Sequence, residues 1–306
     1  MVAALPTLAA SPALAQGKRT TTAINPNRVV YSVALADQIF AYLRYLPVAF
    51  VAARPPVRPV PTTTTTSTST TTTTVPSSTS TTPATSTTTS TSTSTSTTTT
   101  RPPAPRRAPA VSYVTPQKGH YAWRFANLPA SLKSQWQVGG ITPIFRGAVM
   151  RFQAQHNLPV TGGMDTPTWV ALVTAGIKHQ FSNETYNWVL VSQTQPERLW
   201  LYRNGVMSMT TLVNTGITAS PTENGTFVVY LRYKVTTMSG ILPNGKPYHD
   251  TGIPWTSYFN GGDALHGFIR STYGWPQSLG CVEMPFVEAG ALWPYTPLGT
   301  LVTVEP

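Results

Sequence analysis

The sequence predicts a mainly β domain, sandwich- or barrel-like, at the C-terminus. A small α-helical domain precedes it, and the N-terminal third is largely without a fold. Three observations carry this. From residue 186 apolar residues fall in short alternating runs divided by Gly and Pro turns, the pattern of an all-β domain. Between residues 115 and 177 they recur at helical spacing. Residues 62–100 are Thr and Ser except for Val75, Pro76, Pro83 and Ala84, with nothing large to bury against the entropy of ordering.

Taken in order, Met1 to Gln16 reads like the end of a secretory signal, with Ala13-Leu14-Ala15 as a small-x-small cleavage site and residues 1–15 removed. The basic start of such a signal is missing, which puts the natural start upstream. Residues 16–61 form an arm. Val29–Ala53 is apolar but interrupted by Asp37, Arg44 and Pro47, too mixed for a membrane span; one amphipathic helix from about Ala34 to Leu46 is expected. Residues 62–110 are the linker, open to O-glycosylation on its hydroxyls; as a flexible coil its Thr/Ser part spans about 35 Å, which suits a tether.

In the helical domain, Ile144, Ala148, Val149, Phe152 and Ala154 mark a helix over Pro143–His156, with proline suited to its first turn. Asn157-Leu158-Pro159 ends it and Thr161-Gly162-Gly163 turns the chain. Asp165 or Thr166 then caps a second helix, Pro167–Thr174. In the β domain, 186–305, runs at 188–191, 198–202, 209–214, 225–230, 233–238 and 300–304 read as strands, and Arg203-Asn204-Gly205 as a hairpin turn.

The formal net charge of +11 looks like a nucleic-acid signal until it is located. Up to Ala110 nine Lys/Arg stand against Asp37 alone, while from Val111 onward twelve basic residues meet nine acidic ones. The folded part is therefore near balance, with no basic stripe for nucleic acid. The excess sits in the arm and linker ends, where it suits an anionic wall polymer or a membrane surface.

Cys281 is the only cysteine, and His266 lies fifteen positions before it. A lone Cys and a lone His are most often buried packing residues. An exported protein, however, has little reason to keep one unpaired thiol unless it is used. A thiol acts as nucleophile through its thiolate, and an imidazole nearby supplies the base. Gly280 lets the backbone turn so that amides face an oxyanion. The order is base first, nucleophile second, and Pro285 leaves no long helix pattern after Cys281, unlike hydrolases in which the cysteine comes first and opens a helix.

Residues 186–305 resemble the L,D-transpeptidase catalytic domain of the YkuD type. The likeness is carried by His266-Gly267 and Ser278-Leu279-Gly280-Cys281-Val282, with Leu199–Gly205 as an early hairpin and Asn214-Thr215-Gly216 followed by Pro221–Phe227. The stretch AVMRFQAQHNLPVTGGMDTPTWVAL resembles the repeat of a small peptidoglycan-binding domain, most clearly in Phe152-Gln153, Leu158–Gly162, Asp165 and Thr168-Trp169. Residues 121–140 match it poorly. Two departures stand out. Leu279 holds a position often histidine in the family, and Glu223 one usually proline.

The resemblance implies Cys281 as nucleophile and His266 as its base. Gly280, Gly267 and Ser278 would support the oxyanion. The substrates would be peptidoglycan stem peptides and glycan, and the product a 3→3 cross-link made through a thioester. It implies no metal or cofactor, and His120, His156, His179 and His249 show no metal-set spacing. It further implies a monomer, secreted or at the cell wall. Arg270 is a candidate for a stem carboxylate, with a solvated loop charge as the other reading. Tyr258 and Trp275 are candidates for the cleft wall, with core packing as the other. Asp250 and Asp263 could orient His266 or simply serve turns. A wall-binding protein without activity and a Cys-first peptidase are the rival functions.

Overall fold

The computed structural model describes residues 31–53 and 113–306. The signal-like segment, most of the basic arm and the Thr/Ser stretch lie outside the described residues. Helix α1 runs Val33–Tyr42 and strand β1 Val48–Ala52; they are followed by β2 Gly119–Trp123, α2 Ala130–Ser134, α3 Pro143–Gln155 and α4 Thr166–Ile177. The β domain contains β3 Asn187–Ser192, β4 Arg198–Arg203, β5 Val206–Leu212, β6 Gly225–Val228, β7 Leu231–Ile241 and β8 Pro247–Asn260. It closes with β9 Asp263–Gly267, β10 Val282–Met284, α5 Phe286–Leu292, a 3₁₀ turn Trp293–Tyr295 and β11 Leu301–Glu305.

The helices start where the capping chemistry says they should. Ser32 Oγ accepts from the Leu35 amide at 3.3 Å, Thr142 Oγ1 from Phe145 at 3.3 Å, and Asp165 Oδ1 from Thr168 at 2.9 Å, each supplying an acceptor to an amide with no helical partner. Gln153, fully buried on α3, holds the turn before α4. Its Oε1 accepts from the Thr161 and Gly162 amides at 2.9 Å each, and its Nε2 donates to Thr161, Gly163 and Thr168. That pattern explains why Phe152-Gln153 and the Thr161-Gly162 turn occur together.

The expected separation of the arm from the helical domain is not what the structure shows. Leu35, Ile39, Phe40, Leu43 and Leu46 share one buried cluster with Ile144, Phe145, Val149, Phe152 and Leu172. β1 pairs antiparallel with β2, from Val48 opposite Trp123 to Ala52 opposite Gly119. The Ala53 amide still donates to Lys118 O at 2.8 Å. The described residues on either side, up to Ala53 and from Tyr113, thus belong to one core. The helix also ends earlier than expected, at Tyr42, and Arg44 follows in the left-handed region at φ 70°.

The β domain is two sheets. One is ordered β5-β4-β3-β11-β6, the other β10-β9-β8-β7. Between them pack Val189, Val191, Leu199, Leu201, Val302 and Val304 from the first and Phe259, Leu265, Val282 and Met284 from the second. The other face of the first sheet is covered too, since Trp188 and Leu301 belong to the helical core. A strand buried on both faces reads as a continuous apolar run, which is what Trp188-Val189-Leu190-Val191 is. Helix α3 and the turn before β11 come close at Gly147 and Gly299. A Cβ on Gly147 would lie 2.7 Å from the Gly299 carbonyl oxygen, and one on Gly299 2.5 Å from that of Gly147.

Helix α5 was not expected, because Pro285 read as a break. Proline there is the residue just before the helix, a place that costs no hydrogen bond. No helix among the described residues is long and apolar enough to cross a membrane.

Phe40 is fully buried and makes edge contacts with Tyr45, Phe145 and Phe152 at ring-centroid distances of 6.0, 5.9 and 5.6 Å. Phe40→Ala should therefore cost about 3–5 kcal/mol, measured by denaturant unfolding. A cost near zero would mean that α1 is not part of the core.

Candidate active site

The site rests on one strand pair. β9 and β10 run parallel, with Leu265 opposite Val282, His266 opposite Glu283 and Gly267 opposite Met284. Cys281 stands immediately before β10, so the register brings it beside Ala264 and the turn that opens β9. The thiol faces Gly262 O at 3.8 Å, and the Ala264 amide acts to lower its pKa. Cys281 and His266 line one cavity of about 340 Å³, together with Thr237, Met238, Ser239 and Tyr248 of the β7–β8 hairpin.

His266 is buried, and its Nδ1 lies 3.1 Å from Gly267 O. A carbonyl can only accept, so Nδ1 carries the proton and Nε2 keeps its lone pair. Burial holds the imidazole below its ordinary pKa. Cys281 is half-buried as a residue, and burial pushes its thiol up to about 12. The Ala264 amide works against that rise, while Asp263 and Glu283 add to it. Both effects favour the neutral pair, thiol and imidazole, over thiolate and imidazolium.

Gly280 has φ 111°, and a Cβ there would lie 2.2 Å from Asp263 Oδ1. The backbone angle is one that side-chain residues rarely adopt, and any side chain there would force Asp263 to move. Its amide donates to Ser278 Oγ at 3.2 Å, and that hydroxyl donates to Cys281 O at 2.5 Å. Ser278 thus closes the turn before the nucleophile. Thr222 donates to Gly280 O at 2.7 Å, and Ser220 to Leu279 O at 3.0 Å. Asn214 exchanges backbone bonds with Glu283 at 2.9 Å each. The Asn214-Thr215-Gly216 and Pro221-Thr222 segments are therefore the clamp on the cysteine loop. Glu197 anchors the clamp from below, being buried and accepting from the Thr215 amide at 2.6 Å and hydroxyl at 2.7 Å. The sequence showed Asn214–Gly216 and Pro221-Thr222 as a likeness without showing this role, and gave no signal for Glu197 or Ser220.

The remaining candidates are placed as follows. Gly267 lies under α5, where a Cβ would come within 2.9 Å of Phe286; its carbonyl is what fixes the His266 tautomer. Tyr258 lines the cavity. Trp275 does not line it; it is exposed, and its Nε1 donates to Thr272 Oγ1 at 3.2 Å. Arg270 lines the cavity but is already engaged. Its Nε and Nη2 meet Glu283 Oε2 and Oε1 at 2.7 and 2.9 Å, and Nη2 also donates to Gln277 O at 3.2 Å. Its guanidinium stands 4.7 Å from the Phe268 ring centre. Glu283, the partner that sequence reasoning missed, had no signal beyond its place two residues after the cysteine. Asp263 lies against Gly280 and is not the partner of Nδ1. Burial pushes its carboxyl up to about 6, with the charge of Glu223 adding to the rise and the Asn260 side chain opposing it. Asp250 and Leu279 line the cavity. Among the described residues no group of His, Cys, Asp or Glu is placed to hold a metal.

Residues 186–304 match the L,D-transpeptidase catalytic domain family, YkuD, and residues 138–172 match a peptidoglycan binding domain family. The chain carries these two domains. Solved structures similar to it include an L,D-transpeptidase from Mycobacterium smegmatis, at 17% identity over 40% of this chain and 59% of that one, TM-score 0.36. Another is the catalytic domain of the E. faecium L,D-transpeptidase, at 22% identity over 40% of this chain and 99% of that one, TM-score 0.36. A third is a fused Zn-dependent amidase/peptidase/peptidoglycan-binding protein from Clostridium acetobutylicum, at 16% over 54% and 86%, TM-score 0.35. This chain spans about three fifths of the length of the M. smegmatis structure. No curated protein sequence matches it.

Two outcomes follow from the electrostatics. Iodoacetamide should alkylate Cys281 slowly at pH 7, at a rate still rising above pH 9, because the thiol of the free protein is held neutral. A plateau below pH 7 would show a standing thiolate instead. Arg270→Met leaves Glu283 buried and unpaired and should cost about 3–5 kcal/mol. The double change Arg270→Met/Glu283→Met should recover much of it, measured by denaturant unfolding.

Proposed function

We propose that the protein is a peptidoglycan L,D-transpeptidase that forms 3→3 cross-links through a Cys281 thioester. The observation that carries this is the parallel β9–β10 register, which seats a cysteine and a histidine with a free Nε2 in one cavity. The substrate is a tetrapeptide stem whose third residue is a diamino acid.

With thiol and imidazole both neutral at rest, proton transfer accompanies attack. Sγ bonds to the carbonyl carbon of the third residue as Nε2 of His266 takes the thiol proton. Amides of the 279–281 turn hold the oxyanion; the Gly280 amide is partly committed to Ser278, which gives the Cys281 amide the larger share. Collapse breaks the carbon–nitrogen bond to D-alanine, whose amine leaves with the proton from His266. A side-chain amine of a second stem then attacks the thioester and gives its proton to Nε2. The sulfur departs taking that proton back, which restores the neutral thiol and imidazole. Leu279 presents an apolar wall where a second imidazole often stands in the family, so His266 serves both half-reactions. Such a substrate places the working protein outside the cytoplasmic membrane, in the cell wall, and the reaction needs only one copy of the chain.

The full chain and its Cys281→Ala variant, incubated with a disaccharide-tetrapeptide, should differ completely by mass spectrometry. The wild type should show loss of D-alanine, a dimer, and a thioester adduct at Cys281. Loss without dimer would make the enzyme an L,D-carboxypeptidase. No loss from folded protein that still binds sacculi would favour the inactive wall-binding reading.

A further inference from the structure

A second cavity, of about 360 Å³, lies where the helical domain meets the β domain, within the size of small-molecule sites and in the kind of place where they occur. One wall is the start of α3, with Ile141, Arg146 and Met150; the other is the β6–β7 corner and the end of β8, with Phe227, Tyr230 and Asn260. Arg146 and Met150 are four residues apart and so share a face of α3. Between them lies Gly147, whose contact with Gly299 sets the distance between the walls. The groove is therefore built into the junction.

Its chemistry is specific. Ile141 is 73% exposed and Tyr230 41% exposed, two large apolar surfaces left open at the groove. Tyr230 is not free to turn away, because its hydroxyl donates to Gly261 O. The Arg146 guanidinium has no ion pair or side-chain hydrogen bond among the described residues, and no carboxylate lines the groove. Fixed aromatic and aliphatic faces with one unspent donor fork suit a pyranose bearing an acetamido group: ring and methyl on the apolar faces, carbonyl or hydroxyl on arginine.

The groove also adjoins the active site. Gly261 lines it, while the next residue, Gly262, lines the catalytic cavity and faces the thiol. We propose that this groove is a glycan subsite holding an N-acetylated amino sugar of the strand whose stem enters the catalytic cavity. The helical and β domains thus form one composite site. A three-residue stem spans about 10 Å when extended, enough to pass a two-residue turn. The proposal rests on the reading that the chain handles peptidoglycan, but not on catalysis.

The test uses the full chain and a stem-free disaccharide of N-acetylglucosamine and N-acetylmuramic acid. Saturation-transfer NMR and calorimetry should show binding, weakened about tenfold by Arg146→Ala and by Ile141→Ser, both exposed positions whose change should spare folding. In turnover, kcat/KM for a disaccharide-tetrapeptide should exceed that for the bare tetrapeptide, and the ratio should fall towards one in either variant. No binding, or binding that both variants keep intact, overturns the subsite. Binding that the variants weaken, with no turnover of any stem, upholds the groove while removing the transpeptidase reading.

Discussion

The site depends on a parallel pairing between two short strands. Parallel neighbours need a crossover of a dozen or more residues, and here the connection between β9 and β10 has no helix of its own to hold it. Side chains supply the restraint. Arg270 ties the start of the crossover to Glu283 on β10, Asn214 takes the Gly274 amide on its side-chain oxygen at 3.0 Å, and Thr222 and Ser220 hold the last carbonyls before Cys281. Were β10 to slip by one residue, Cys281 would leave Ala264 and its side chain would turn to the other face.

The electrostatic state follows from the same burial. Burial of both groups and the acids Asp263 and Glu283 near the thiol oppose a standing ion pair, and they outweigh the Gly267 carbonyl, which by accepting from Nδ1 favours the imidazolium. The nucleophile is then made as the reaction proceeds, and the thiol at rest is less open to oxidation than a thiolate would be. Asp263 belongs to this balance. It fills the space that a side chain at position 280 would need, so the glycine before the cysteine answers a local acid as well as a backbone angle.

The five-stranded sheet joins the two domains because each of its faces is a floor for something else. Val189 and Val302 face the second sheet, while Trp188 and Leu301 face the helices. Trp188 stacks on Tyr202 with ring centres 4.9 Å apart, which carries the helical core onto β4. Chain from both sides of the Thr/Ser stretch builds that core.

The sequence by itself determined what periodicity, capping and residue chemistry report. α3 and α4 are legible from apolar spacing, Pro143 and Asp165; the strands of the five-stranded sheet and β7 are legible from alternation and turns, whereas β1, β2, β8 and β10 are not. Cys281 and His266 stand out as an unpaired thiol in a chain with an export-like start and by their likeness to a family motif. Tertiary structure alone decided which distant segments meet. Nothing local in Val48–Ala52 names Gly119–Trp123 as its partner across residues 53–118, and nothing in Arg270 names Glu283 rather than a substrate carboxylate. Trp275 looked like a cleft residue, but its loop turns it outward to Thr272. Local pattern tells which face of an element is apolar, whereas the choice of partner for that face is settled by long-range packing, which only the folded chain contains.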